Sequence, residues 1–179
     1  MTAEELVALV DTKTVGWFNS YDVEILLEEL NKLQSGDVYL EVGVNRGYSF
    51  ACAWFSKPEG VEVYGVDIDN TSERQRMFES ENMDGFYHEP SQELAKRWNK
   101  KISLLLIDGD HSFEGVTADL ESWFPHMKDN SVILMHDHTS GTGVMQGASM
   151  FFANKNVKYD FPVMMNSQLS RSSIARIKL

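Results

Sequence analysis

With 179 residues, 42% of them hydrophobic and 24% charged, the chain has the composition of a globular protein and the length of one domain, residues 1–179, enough for a three-layer α/β core. No run approaches the roughly 18 consecutive apolar residues that a membrane-spanning helix needs, so no membrane partner is expected. The formal net charge of −11 would repel a phosphate backbone, which argues against nucleic acid, and the single cysteine excludes an internal disulfide framework and any cysteine-based zinc site.

The first residues, MTAEELVALVD, carry no basic segment of the kind that opens a secretion signal, so the cytoplasm is the expected compartment. Residues 3 to 10 predict a short helix. The loop segment VGWFNS follows, and its Trp17 and Phe18 are available either to pack on the body or to cover a ligand. From Asp22 to Gln34, Val23, Leu26, Leu27, Leu30 and Leu33 recur at helical spacing. The stretch DVYLEVGVNRGYSF, Asp37 to Phe50, then joins a short apolar, β-branched run to two glycines. It reads as a buried strand that turns at Gly43 and Gly47 into a helix beginning near Tyr48, with Glu41 at the strand's end. Gly43 would bring the backbone close to a ligand, and Gly47 would let the first helical turn pack near the strand.

Val61 to Asp69, VEVYGVDID, is a second strand ending in carboxylates. Asp67 follows the glycine loop by about 20 residues, where nucleotide-binding α/β units place an acid on ribose hydroxyls. Ser72 and Gln75 have capping-box spacing for a helix over 72–81. A weak strand in MDGFYHEP precedes SQELAKRW, a helix with Ser91 as its cap. ISLLLI is a continuous apolar run of the kind found in parallel strands covered on both faces, and it stops on Asp108, Gly109, Asp110 and His111. Phe113, Val116, Leu120, Phe124 and Met127 mark the next helix, and Lys128 to Asn130 a turn. A further buried strand, Val132 to Met135, stops on His136, Asp137 and His138. Val144 to Phe152 predicts another helix, and the remainder an antiparallel strand pair joined by a polar turn. Polar residues gathered at several strand ends mark a site, because open α/β sheets bind ligands outside the carboxyl ends of their strands.

The series EVGVNRG, VDID, PSQ, LLLIDGDHSFEGV and VILMHDH resembles the class I S-adenosylmethionine-dependent methyltransferases. The block IDGDHSFEGVTADLESW is similar to a branch of small-molecule O-methyltransferases related to macrocin and catechol-type enzymes, methyltransferase family 24. The resemblance implies a Rossmann-like three-layer α/β sandwich of about seven strands, mostly parallel with a C-terminal antiparallel hairpin. It implies methyl transfer from S-adenosylmethionine to an oxygen of a small-molecule acceptor, and leaves self-association open. On the cofactor it places Glu41, Gly43 and Gly47 around the methionyl group, Asp67 on the ribose, Ser91 and Gln92 near the adenine, and Asp108 near the sulfonium.

Catechol-type enzymes hold a divalent cation such as Mg²⁺ through an aspartate ending the fourth strand and an Asp-Asn pair ending the fifth. The matching positions here make Asp108, His136 and Asp137 the implied ligands, and the histidine shifts the preference away from pure oxygen ligation. Two carboxylates at adjacent strand ends also repel unless a cation or a proton lies between them. His111 stands three residues after Asp108, where the relatives carry a lysine base, and an imidazole with an ordinary pKa of about 6.5 can accept a hydroxyl proton. His111 and Asp108 are therefore the expected catalytic residues. Two rivals stay open: another metal-dependent reaction on the same scaffold, hydroxylase-like, and a non-catalytic cofactor-binding or interaction protein.

Overall fold

Strands form where the apolar runs are. The computed structural model describes residues 1–139, 142–153, 155, 157–160 and 172–179. In it β1 (Val38–Val42), β2 (Glu62–Asp67), β3 (Phe86–His88), β4 (Ile102–Ile107) and β5 (Met127–Met135) pair in parallel. β6 (Lys158–Asp160) and β7 (Ala175–Lys178) add an antiparallel pair, giving a seven-stranded sheet of order β3-β2-β1-β4-β5-β7-β6. The helices are α1 (Ala3–Asp11), α2 (Ser20–Leu30), α3 (Tyr48–Ser56), α4 (Ser72–Ser80), α5 (Ser91–Ala95), α6 (Phe113–Trp123) and α7 (Thr142–Phe152). Every residue of β1 and β4 is buried because helices cover both faces of the sheet. Tyr39, Leu104, Leu106 and Leu134 pack with α1, α2 and α3, while Val38, Leu40, Val42, Leu105, Ile107 and Ile133 pack with α5, α6 and α7. This alternation is the two-residue period of a strand, and it yields the three-layer Rossmann-like sandwich that the sequence implied.

The chain lays down β1, β2 and β3 in one direction across the sheet and then returns to place β4 and β5 on the other side of β1. Connections leaving β1 and β4 therefore part in opposite directions, and a crevice opens at their carboxyl ends.

Several local expectations shift. α2 starts at Ser20, capped by Asn19, and ends at Leu30 instead of Gln34. Thr71, not Ser72, caps α4, its hydroxyl accepting from the Arg74 N–H. Ser91 is the first residue of α5 and not its cap, since its hydroxyl is engaged with Asp119 of α6. Lys128 to Asn130 do not form a turn before the strand. They lie inside β5, where the register on β4 shifts and Asn130 takes a φ of 59°, a bulge. The polar turn expected between the last two strands falls on 161–171, outside the described residues. Among the described residues no helix is long and apolar enough to cross a membrane.

Candidate active site

The carboxyl ends of four strands are tied to one another by backbone bonds. The N–H of Gly43 donates to Val66 (2.9 Å), that of Asp108 to Val42 (2.8 Å) and that of His136 to Ile107 (3.1 Å). Each bond extends the ladder one residue past the apolar run, so the polar residue that stops each run arrives at a common edge. A cavity of about 660 Å³ opens there, within the roughly 300–1,000 Å³ typical of small-molecule sites. Of the residues expected to bind the cofactor, hold a metal or act in catalysis, all but Glu41 and Gly47 line it, and of the strand-end polar residues His138 does not.

Glu41 lies behind the wall, fully buried, accepting from the Tyr39 hydroxyl at 2.7 Å and the Ser49 hydroxyl at 2.6 Å. Burial outweighs those bonds and raises its pKa to about 8, so the group is mostly protonated at neutral pH. It ties β1 to α3 beneath the glycine loop and does not meet the cavity. Gly43 and Gly47 both take a φ of 87°. A Cβ on Gly43 would lie 2.3–2.5 Å from the Asp108–Gly109 peptide, so the backbone just past β4 already requires glycine at this point of the cavity wall. A Cβ on Gly47 would meet Met77 and Phe78 of α4, which replaces the expected packing against the strand.

Asp67 faces the cavity with both oxygens anchored, Oδ2 accepting from the Asn45 N–H at 2.6 Å and Oδ1 from the Asp69 N–H at 2.7 Å. Arg74, buried on α4, donates to the carbonyls of Asn45 and Asp69 and stands 3.8 Å from Asp67. It fastens the glycine loop to the end of β2. Sequence reasoning missed Arg74, although its spacing from Met77 and Phe78 puts it on the buried face of α4.

At the other end, Asp108, His111 and Asp137 converge, one donor atom of each lying within 4.8 Å of the others. His111 Nε2 is 3.3 Å from Asp108 and its Nδ1 3.5 Å from Asp137. Asp137 takes a left-handed φ of 52°, uncommon for a residue with a Cβ, at the turn that ends β5. His136 lies behind this trio. It is buried, with Nδ1 2.8 Å from Asp108 and 3.6 Å from Asp137, and with Nε2 3.6 Å from Asp22 on α2. Phe18 stacks on its ring at 4.7 Å. Burial alone would lower its pKa, but the hydrogen bond to Asp108 and the nearby carboxylates of Asp137 and Asp22 raise it to about 11. His136 is thus seated beside both carboxylates, and it offers a lone pair to a metal only in its neutral form. The donors that fit a divalent cation are Asp108, His111 and Asp137, two oxygens and one nitrogen on the cavity wall.

Ser91 and Gln92 also line the cavity, yet their polar groups turn to Asp119, a residue the sequence reading passed over. The Ser91 hydroxyl and the Gln92 amide N–H (2.7 Å) both donate to Asp119 Oδ1. Burial raises the Asp119 carboxyl to about 6.

A family described as "Methyltransferase domain", methyltransferase family 24, matches residues 40–138, from β1 through the His136 to His138 segment. The chain belongs to this methyltransferase family. Its fold is similar to that of an SAH-bound methyltransferase from Podospora anserina, with a TM-score of 0.74 at 10% identity over 98% of this chain and 86% of that one. It is similar as well to an O-methyltransferase from Bacillus cereus in complex with SAH, with a TM-score of 0.70 at 14% identity over 99% of this chain and 89% of that one. At such identities the likeness is one of fold. An uncharacterised protein of Sinorhizobium fredii is 28% identical over 131 residues, a match that covers 60% of this methyltransferase-family chain but only 14% of that relative's length.

Proposed function

We propose that this methyltransferase-family chain moves a methyl group from S-adenosylmethionine to an oxygen of a small molecule. The observation that carries the reading is the single cavity that joins the glycine loop and Asp67 at one end to Asp108, His111 and Asp137 at the other. The cofactor, when bound, supplies an electrophilic methyl group on a sulfonium. Each Asp67 oxygen holds one backbone N–H and keeps a second lone pair for a ribose hydroxyl. The strand-end ladder fixes Asp108 relative to Gly43, so the acceptor is held in line with the methyl donor, and positioning of this kind supplies a large part of the rate.

On the acceptor side His111 is half exposed to the cavity. Its pKa is raised by its bond to Asp108, which makes the neutral ring a stronger base for the hydroxyl proton. As the oxygen–carbon bond forms and the sulfur–carbon bond breaks, the proton passes to His111. Asp108, His111 and Asp137 would alternatively hold a divalent cation, which lowers the pKa of a bound hydroxyl. A net charge of −11 favours a small acceptor over a nucleic acid.

Calorimetry with S-adenosylhomocysteine and methyl-transfer assays with hydroxyl acceptors, with and without excess chelator, test the reading. Absence of binding at millimolar ligand would remove it. Transfer only to nitrogen acceptors would replace the oxygen nucleophile. Full activity in chelator assigns the proton to His111 alone, and His111→Asn should then lose about 10²-fold or more in kcat.

A further inference from the structure

We infer that the imidazole of His111 makes the cation site of the cavity selective for a first-row transition ion, Mn²⁺ to Zn²⁺, over the Mg²⁺ or Ca²⁺ that oxygen-only sites take. The inference rests on the cation-assisted form of the proposed methyl transfer and deepens it by naming the class of ion and its nitrogen ligand.

The two imidazoles beside the carboxylates have different settings. His136 is buried, with Phe18 stacked on its ring at 4.7 Å, Nδ1 at 2.8 Å from Asp108 and Nε2 at 3.6 Å from Asp22. Turning either nitrogen toward an ion would break the stack and the bond to Asp108. Its part is to hold Asp108, as the carboxylates that ligate metals are themselves held by hydrogen bonds. His111 is 45% exposed on the cavity wall, in the turn between β4 and α6. Its contacts to Asp108 and Asp137, 3.3 and 3.5 Å, are long beside the roughly 2.9 Å of a settled N–H···O bond, so the ring is loosely held.

The spacing of the donors suits an ion. Bonds of about 2.1 Å place neighbouring ligand atoms about 3.0 Å apart in an octahedron and about 3.4 Å apart in a tetrahedron. His111 Nε2 already stands 3.3 Å from Asp108, and one donor atom of each of the three residues lies within 4.8 Å of the others. Rotation of His111 and Asp137, both partly exposed, closes the rest. Mg²⁺ and Ca²⁺ are hard ions that favour oxygen, whereas an imidazole nitrogen suits the transition ions. The lysine that relatives carry at the position of His111 is a cation with no lone pair, so the imidazole adds a ligand where they have none. Three protein donors also leave positions open for a further ligand.

The experiment is calorimetry on the full chain, freed of metal by chelator, at neutral pH with Co²⁺ and with Mg²⁺, the visible spectrum of Co²⁺ reporting nitrogen ligation. Co²⁺ should bind at about one ion per chain and about 100-fold or more tightly than Mg²⁺. His111→Asn, which puts an oxygen in place of the nitrogen, should lose about tenfold or more of the Co²⁺ affinity and shift its visible band, while Mg²⁺ affinity stays within about threefold. Mg²⁺ binding as tight as that of Co²⁺, or binding of neither ion, overturns the inference on the wild type alone. Unchanged Co²⁺ binding in His111→Asn overturns it as well, by assigning the ion to another group. S-adenosylhomocysteine titrated into the same metal-free chain keeps the two readings apart. Its binding where no ion binds leaves the methyltransferase reading with His111 as base. Its failure to bind at millimolar concentration removes that reading, and the Co²⁺ and Mg²⁺ titrations still decide the ligand set.

Discussion

At the β1–β2 end of the cavity the polar side chains are held by backbone groups, whereas at the β4–β5 end they are held by one another. Asp67 accepts from two amide N–H groups and Arg74 donates to two carbonyls. Asp108, His111, His136 and Asp137 lean together through side-chain contacts of 2.8 to 3.6 Å. Backbone anchors have one geometry at any charge state. A cluster of carboxylates and imidazoles rearranges when a proton or a cation enters or leaves. The first end is therefore suited to binding an invariant ligand and the second to chemistry, and substitutions at the two ends should separate into effects on stability and binding and effects on turnover.

The largest break comes from Gly43→Val. A Cβ there would fall within 2.5 Å of the Asp108–Gly109 backbone at a φ of 87°. Neither strand end can yield without breaking the ladder, so a loss of about 4 kcal/mol or more, and of all S-adenosylhomocysteine binding, is expected in chemical unfolding and calorimetry. An unchanged unfolding midpoint would mean that the two strand ends are not packed this closely.

Glu41→Gln should act in the opposite direction and depend on pH. The folded-state pKa of Glu41 is raised from 4.5 to about 8, so its contribution is fully present below pH 4.5 and is lost as pH rises toward 8, where the unfolded chain ionises and the folded one resists. Glutamine removes that slope. The variant should gain on the wild type across this window by a few kcal/mol at most, read from urea midpoints at pH 5 and pH 8. Equal slopes for the two proteins would show that Glu41 is not buried as a neutral acid.

Arg74→Met keeps the apolar stem and removes the charge, leaving the Asn45 and Asp69 carbonyls and Asp67 without their shared partner. A loss of about 2–3 kcal/mol, with weakened S-adenosylhomocysteine binding, is expected. A loss of turnover with binding unchanged would contradict the division between the two ends.

The fold was legible because its information is local. Runs such as ISLLLI are long enough to be buried strands on their own, and the rule that sites gather at strand ends brings Asp108, His136 and Asp137 together without coordinates. The division of labour inside the cluster was not legible. The burial and setting of His136 depend in part on Asp22 and Phe18, which reach it from the N-terminal part of the chain, and no spacing near VILMHDH records them. The caps failed for a smaller reason. Thr71 and Ser72 are adjacent capping residues and either fits the pattern. Ser91 fits too, but burial against Asp119 diverts its hydroxyl.

Trp17 offers the smallest effect on stability and the finest test of the contrast. It is 83% exposed at the rim of the cavity, next to a Phe18 that is buried against His136. An exposed indole has little packing to lose, so Trp17→Ala should keep stability within about 0.5 kcal/mol. Val15 and Ile68 are exposed on the same rim. Apolar surface left in water at a cavity mouth gains roughly 25 cal/mol per Å² when a ligand covers it. An acceptor with an apolar body would cover the indole equally before and during methyl transfer, which is uniform binding and changes KM without changing kcat. Trp17→Ala should therefore raise the acceptor KM about 3- to 10-fold at constant kcat, whereas Phe18→Ala, which removes the stack on His136, should lower kcat. Steady-state assays on the two variants decide the matter. A fall in kcat for Trp17→Ala at unchanged KM would place the indole in the chemistry and remove the distinction between rim and cluster.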